Sequence, residues 1–327
     1  MKKRVLGRTG LDISELVLGG GVVGGILVLP EESVRQTALE RIVKAGIDWI
    51  DTAAMYGKGA SEETLGRHLP HLSPRPRVST KFTVLPEHRS DIYGAIARSL
   101  EQSLRRLNAQ RVHLLQLHNH ISHAEDERAM SPERILGKDG VADALDRLKS
   151  QGLIGGCGLT AAGDMKAVLS VIDSGRLDTA QIYYNMLNPS AAWTRVPAGW
   201  ASDDLSGLVD ACKRQNMGML NIRVFAGGTL ASPKRHGREY IMLPRADLAS
   251  EDKRAAAVRA ALGDRYGTPA QTALRFALAN KDFSCSVVGI ADLAQLDEAL
   301  AAVEMGPLPD EAISRLEPLW ASNFGIA

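Results

Sequence analysis

Short β-branched or apolar runs alternate along this chain with longer stretches of helical period, and that repetition constrains the fold more than any other feature. The runs that read as strands are Leu16–Gly20, Trp49–Ala53, Arg77–Lys81, Val112–His118, Gly156–Thr160, Thr179–Tyr183, Gly218–Ile222 and Ser284–Gly289. Between them, apolar residues recur at helical spacing: Val34, Ala38 and Ile42; Ile92, Ile96, Leu100 and Leu104; Val141, Leu145 and Leu148; Leu293, Leu296, Leu300 and Val303. Each set lines one helix face, and burial in a core accounts for it without further function. Thr268 before Pro269 reads as the N-cap and first-turn proline of a helix over Ala270–Leu278. Strict alternation implies a parallel sheet with crossover helices. Eight such units in 327 residues predict an α/β fold of the closed (β/α)8 TIM-barrel kind rather than an open sheet. No internal boundary is evident, so a single barrel domain over 1–327 is expected.

Composition narrows the function classes. The 39 Lys and Arg nearly balance the 38 Asp and Glu, leaving a formal charge of +1, so no global field draws the chain to nucleic acid or an anionic membrane. A small-molecule partner is the expectation. Cys157, Cys212 and Cys285 are odd in number and far apart, which suits buried reduced thiols rather than a disulfide framework or a metal motif. The basic start Met1-Lys2-Lys3-Arg4 leads into no apolar signal region, and the stretch from Leu16 to Leu29 is too short and glycine-rich to span a bilayer. A cytoplasmic location follows as an expectation.

Chemistry concentrates at the predicted strand ends. Asp51 ends the second strand with Tyr56 just beyond it, Lys81 ends the third, and His118 ends the fourth. In a barrel these ends converge on one mouth. A lysine ending an apolar strand is costly to bury unless paired, and Asp51 on the adjacent strand is the natural partner. Beside an ammonium a phenol ionises more readily, which suits it to proton transfer to a carbonyl oxygen. Taken singly, each residue has a plainer explanation in capping, packing or a satisfied core; together at successive strand ends they suggest a site. Two long connections, Asn119 to Lys138 and Val224 to Ser250, follow the fourth and seventh strands, where barrel enzymes carry their binding loops.

Nearly end to end, the sequence resembles the aldo-keto reductase family. The resemblance rests on Leu6-Gly7-Arg8-Thr9-Gly10-Leu11, on Asp51-Thr52-Ala53 through Tyr56-Gly57 with Ser61-Glu62 and Leu65-Gly66, and on the Lys81 and His118 strands, all in order. It implies an NAD(P)-dependent oxidoreductase interconverting an aldehyde or ketone and an alcohol, with a catalytic tetrad of Asp51, Tyr56, Lys81 and His118. Tyr56 would be the general acid or base, Lys81 held by Asp51 would ease its ionisation, and His118 would orient the carbonyl. Along the cofactor the resemblance implies Gly19, Gly20, Asp51, Thr160, Gln181, Ile222, Arg223, Phe225, Gly227, Gly289 and Gln295. Thr160 stands where serine is usual, Gln181 matches the glutamine that holds the carboxamide, and Ala161 replaces an asparagine. Ile222 takes the place of a stacking aromatic ring and Arg223 that of a serine. Arg223 reads equally well as a pyrophosphate ligand or as a rim salt bridge. Gly21 replaces a bulky pocket residue.

Gly289, Ile290 and Gln295 stand at the three positions where NADPH-specific members clamp the 2′-phosphate, and Asp292 lies close by, so NAD is expected to serve at least as well as NADP. The basic run Lys234-Arg235-His236-Gly237-Arg238 is the counterweight, a possible clamp from the other side. The fourth and eighth strands look somewhat closer to aldose and pyridoxal dehydrogenases than to steroid-type reductases. Two rival readings stand beside this one. His118 and His120, two apart on a strand, would share a face and suggest a metal-dependent hydrolase, though no metal ligand set is evident. A cofactor-sensing subunit with little turnover would keep the same fold.

Overall fold

The computed structural model describes residues 1–326. Its strands, in chain order, are β1 (Lys3–Val5), β2 (Asp12–Ser14), β3 (Leu16–Gly19), β4 (Trp49–Asp51), β5 (Arg77–Phe82), β6 (Leu114–Leu117), β7 (His120–Ile121), β8 (Ala129–Met130), β9 (Cys157–Thr160), β10 (Thr179–Tyr183), β11 (Gly218–Ile222) and β12 (Cys285–Gly289). The helices are α1 (Glu32–Lys44), α2 (Ala60–His68), α3 (Ile92–Arg106), α4 (Pro132–Leu136), α5 (Val141–Ser150), α6 (Met165–Asp173), α7 (Leu208–Arg214), α8 (Leu248–Leu262), α9 (Pro269–Ala279), α10 (Leu293–Met305), α11 (Asp310–Ser314) and α12 (Glu317–Ala321). Strands β3, β4, β5, β6, β9, β10, β11 and β12 close into a parallel barrel, the (β/α)8 architecture expected from the alternation. Among the described residues no helix is long and apolar enough to cross a membrane.

Alternation along each strand sorts side chains into two layers. One large apolar cluster lies between the strands and the surrounding helices, and takes in Ala38, Ile42, Ile96, Leu100, Leu145 and Leu148 from the predicted helix faces. A second fills the lower barrel with Val17, Trp49, Leu114, Leu220, Cys285 and Val287. The β1–β2 pair closes the bottom: Leu6 and Ile13 join this inner cluster, and Arg4 donates to the carbonyls of Leu278 and Phe283 at 3.0 and 2.8 Å. Fully burying each such side chain stabilises by about 1.5–3 kcal/mol, so the barrel floor is solid.

Strand ends depart from expectation by a residue or two. β6 stops at Leu117 because Asn119 turns the chain, its Oδ1 accepting from the Val84 amide at 2.8 Å and its Nδ2 donating to the Val84 carbonyl at 3.0 Å. His120 therefore opens β7, a different element from the strand before His118, and the shared-face premise of the metal reading does not hold. Among the described residues no group of three or more His, Cys, Asp or Glu is placed to hold a metal. The connection from Asn119 to Lys138 is folded, with β7 and β8 paired in parallel and α4 capped by Ser131. Thr268 and Pro269 do open α9, with Gln271 completing a capping box.

Candidate active site

Inward positions at the upper ends of the barrel strands are Gly19, Asp51, Lys81, Gln116, Thr160, Gln181, Ile222 and Gly289. Register relates them: Gly19 faces Asp51 and Gly289, Lys81 faces Gln116, and Thr160 faces Gln181. Below them the inward positions are mostly apolar, with Ser79 and Thr179 as buried polar exceptions, so charge appears only where the strands open to the mouth.

Lys81 is 1% exposed and Asp51 3%. The Lys81 Nζ donates to Asp51 Oδ2 at 2.5 Å and to the Thr52 carbonyl at 2.7 Å, and lies 3.4 Å from Tyr56 Oη. Burial alone would lower the lysine's pKa, but the Asp51 charge and Tyr56 outweigh it and the net shift is upward, so the ammonium persists. Asp51 Oδ1 accepts from Ser79 Oγ at 2.7 Å, Gln181 Nε2 at 2.9 Å and Gln116 Nε2 at 3.1 Å. Four donors converge on this carboxylate, three on Oδ1 and the Lys81 ammonium on Oδ2. Half-buried Tyr56 packs edge-on to His118, with ring centroids 5.9 Å apart at 80°. Burial pushes the His118 pKa down to about 3, helped by the charges of Lys81, His120 and Arg223, so its imidazole is neutral at ordinary pH. A Cβ on Gly21 would sit 3.9 Å from Tyr56 Oη, which leaves the space beside the phenol free of a side chain.

The four residues Asp51, Tyr56, Lys81 and His118 thus lie together. Sequence reading missed Ser79 and Gln116. Both were accessible through alternation, since Ser79 lies two before Lys81 and Gln116 two before His118, and both point inward.

Several residues fit a dinucleotide. The Thr160 hydroxyl is buried without a hydrogen-bond partner, an acceptor and donor left over beside Gln181. The end of β12 is a glycine cradle: a Cβ on Gly24 would lie 2.4 Å from the Ile290 amide nitrogen, which lets the loop after β3 close onto Gly289. Gly20 sits as tightly, since a Cβ there would be 2.5 Å from Ser61 Oγ. Ile222 packs on the inner apolar cluster. Gln181 commits its amide nitrogen to Asp51, leaving its carbonyl oxygen for other contacts.

Beyond β11, Arg223 adopts φ +63°, donates to the Tyr240 carbonyl at 3.1 Å and lies 4.9 Å from the Tyr240 ring centroid. Phe225 precedes the turn Ala226–Gly228, and Gly227 lets the Tyr240 backbone approach. The basic run folds back across this turn. Arg235 is ion-paired with Asp252, and Arg238 Nε donates to the Val23 carbonyl at 3.2 Å, tying the loop to the segment after β3. At the start of α10, Asp292 caps the Gln295 amide and Gln295 Oε1 accepts from the Ala291 amide, each at 2.9 Å.

The family model described as the aldo/keto reductase family matches residues 15–321. The chain is 26% identical over 327 residues to L-galactose dehydrogenase of Arabidopsis thaliana, covering 97% of this chain and 93% of that protein. It is 25% identical over 346 residues to pyridoxal 4-dehydrogenase of Microbacterium luteolum, covering 95% of each. In fold it is similar to an aldo-keto reductase of Bacillus halodurans solved in its holo form, with a TM-score of 0.73, 21% identity, and coverage of 98% of this chain and 96% of that one.

Proposed function

The chain belongs to the aldo/keto reductase family, NAD(P)-dependent oxidoreductases acting on small-molecule carbonyls and alcohols, and from this premise we propose that Tyr56 is its proton donor and acceptor. The observation that carries the reading is the buried chain Asp51–Lys81–Tyr56, which holds an ammonium 3.4 Å from a phenol oxygen at the barrel mouth. The nicotinamide ring, when bound, supplies or takes the hydride. Tyr56 delivers a proton to the carbonyl oxygen in reduction and removes it from the alcohol in oxidation. Lys81 stabilises the phenolate left behind, and Asp51 keeps Lys81 aimed at the phenol. His118, neutral, offers a ring N–H to the same carbonyl oxygen without competing for the proton.

The dinucleotide would be held by Thr160 and Gln181 at its amide end, by Ile222 against the ring, and by Gly19, Gly20, Arg223, Phe225, Gly227, Gly289 and Gln295 along its length. Nothing at Gly289, Ile290 or Gln295 carries a positive charge, Arg235 is engaged with Asp252 and Arg238 with the Val23 carbonyl, and on these grounds NAD serves at least as well as NADP. L-galactose dehydrogenase and pyridoxal 4-dehydrogenase, both similar over most of the chain, support an aldose or a pyridoxal-like substrate. The test follows nicotinamide absorbance in both directions with both cofactors across aldoses, pyridoxal, simple aldehydes and ketones. Turnover confined to simple ketones would reject this substrate class. Dissociation constants showing a strong NADPH preference, lost in Arg238→Ala, would reject the NAD reading.

A further inference from the structure

Behind the mouth, a buried polar network ties α2 to the two strands that carry Asp51 and Lys81. The chain leaves Tyr56 through a glycine-rich turn and enters α2 at Ala60. The first side chains of that helix, Ser61 and Glu62, are both 0% exposed, as are Thr52 and Thr80. Thr52 Oγ1 donates to Ser61 Oγ at 2.8 Å. Thr80 Oγ1 donates to Glu62 Oε1 at 2.5 Å, and Arg106 Nε donates to Glu62 Oε2 at 2.7 Å.

Each partner is next to a residue of the mouth. Thr52 follows Asp51, and its own carbonyl accepts the Lys81 ammonium at 2.7 Å. Thr80 precedes Lys81 in β5 and points to the opposite face, toward the helices, where Glu62 waits. The helix itself has no freedom to slide: a Cβ on Gly66 would fall 2.0 Å from the Arg106 carbonyl oxygen, so α2 is pressed on the end of α3. Burying a carboxylate only to hold a helix is costly, and an apolar contact would hold it as well. A charged, directional anchor instead defines where the strand lies. Displacing a reacting group by about 1 Å costs on the order of 10²-fold in rate.

We propose that Ser61 and Glu62 are positioning residues: from one helical turn they grip the end of β4 and the middle of β5, and so set the separation of Lys81 Nζ from Tyr56 Oη. This rests on the proton-transfer reading of Tyr56 and Lys81. Tyr56 lies in the short turn that leads directly into α2, so the anchored start of that helix bears on the relative placement of Asp51, Lys81 and Tyr56.

Thr80→Val tests it, since the change keeps the side-chain shape, removes the hydroxyl and leaves Glu62 paired with Arg106. The expected result is a kcat lowered about tenfold or more, an alkaline limb of the pH–rate profile moved upward, an unchanged cofactor Kd, and recovery in Thr80→Ser. Ser61→Ala, a milder change at the other strand, should move the same quantities in the same direction and decides the matter if Thr80→Val does not fold. Wild-type kcat and pH profile in these variants, even with a lowered Tm, would make the network purely structural and overturn the proposal. Tyr56→Phe assayed alongside separates the two failures. If it stays active, the proton-donor reading falls; if it is inactive while Thr80→Val is fully active with an unchanged profile, only the positioning role falls.

Discussion

Lys81 keeps a full charge where water does not reach, and everything around it serves to make that tolerable. Asp51 neutralises it, the Thr52 carbonyl accepts a hydrogen bond from a second N–H, and Tyr56 stands beside the third direction. Removing the ammonium strands a buried carboxylate, a change that typically costs about 3–5 kcal/mol, although the three donors on Asp51 Oδ1 soften it here. Lys81→Met should accordingly lower Tm, reduce kcat sharply and move the alkaline limb of the pH–rate profile upward, since the phenolate loses its counter-charge. An unchanged rate and profile would leave Lys81 a structural residue. Tyr56→Phe removes one part-buried oxygen and no ring packing, so fold and cofactor affinity should persist while turnover drops on the order of 10²-fold or more. Stopped-flow and steady-state rates on the same preparation check this. His118 is the third residue at this scale: held neutral by burial, it should contribute no acid limb to activity between pH 5 and 8.

Strand β6 shows how one element joins the stability of the barrel to its mouth. Just before its first residue His113 accepts the Val78 amide hydrogen through Nδ1 at 3.2 Å and packs edge-on to Trp49, while Gln116 within the strand reaches Asp51. Burial, with Arg77, Arg111 and Arg75 around the ring, pushes the His113 pKa down to about 4. In the unfolded chain the same histidine takes a proton near pH 6.5. Between those values the unfolded state binds more protons, so the stability contribution is complete above about pH 6.5 and is lost as pH falls toward 4. His113→Asn, which retains an acceptor for Val78, should flatten the fall of Tm across this window. A curve parallel to wild type would show that the ring is not the titrating group. The element scale was the best read from sequence: every barrel strand follows from a short β-branched or apolar run and the main helix faces from a period of 3.6 residues. The ends were read less well, because Asn119 ends its strand through side-chain hydrogen bonds that hydrophobic periodicity does not register.

Closure of the barrel brings residues from β3 to β12 onto one mouth, so binding there should stabilise the whole molecule. If the chain is one folding domain, NADH at about a hundredfold excess over Kd should add about 2.7 kcal/mol and raise a single unfolding transition. NADPH at the same concentration should raise it no further, given the uncharged Gly289, Ile290 and Gln295. A larger shift with NADPH, or two separate transitions of which only one moves, would contradict the cofactor preference or the single domain respectively. Alternation of apolar runs and helical stretches, being a property of neighbours along the chain, was enough by itself to give eight βα units, to favour a barrel over an open sheet, and to place Asp51, Tyr56, Lys81 and His118 at or just beyond strand ends; closure itself is seen only in the tertiary structure. Only the tertiary structure decided which side chains meet across the barrel: that Gln116 and Gln181 converge on Asp51, that Glu62 reaches Thr80, and that Arg235 is spent on Asp252. The reason is physical. Periodicity reports which face of an element a residue occupies, whereas hydrogen bonds and ion pairs depend on register, strand tilt and loop path, which are settled only when all eight units pack together.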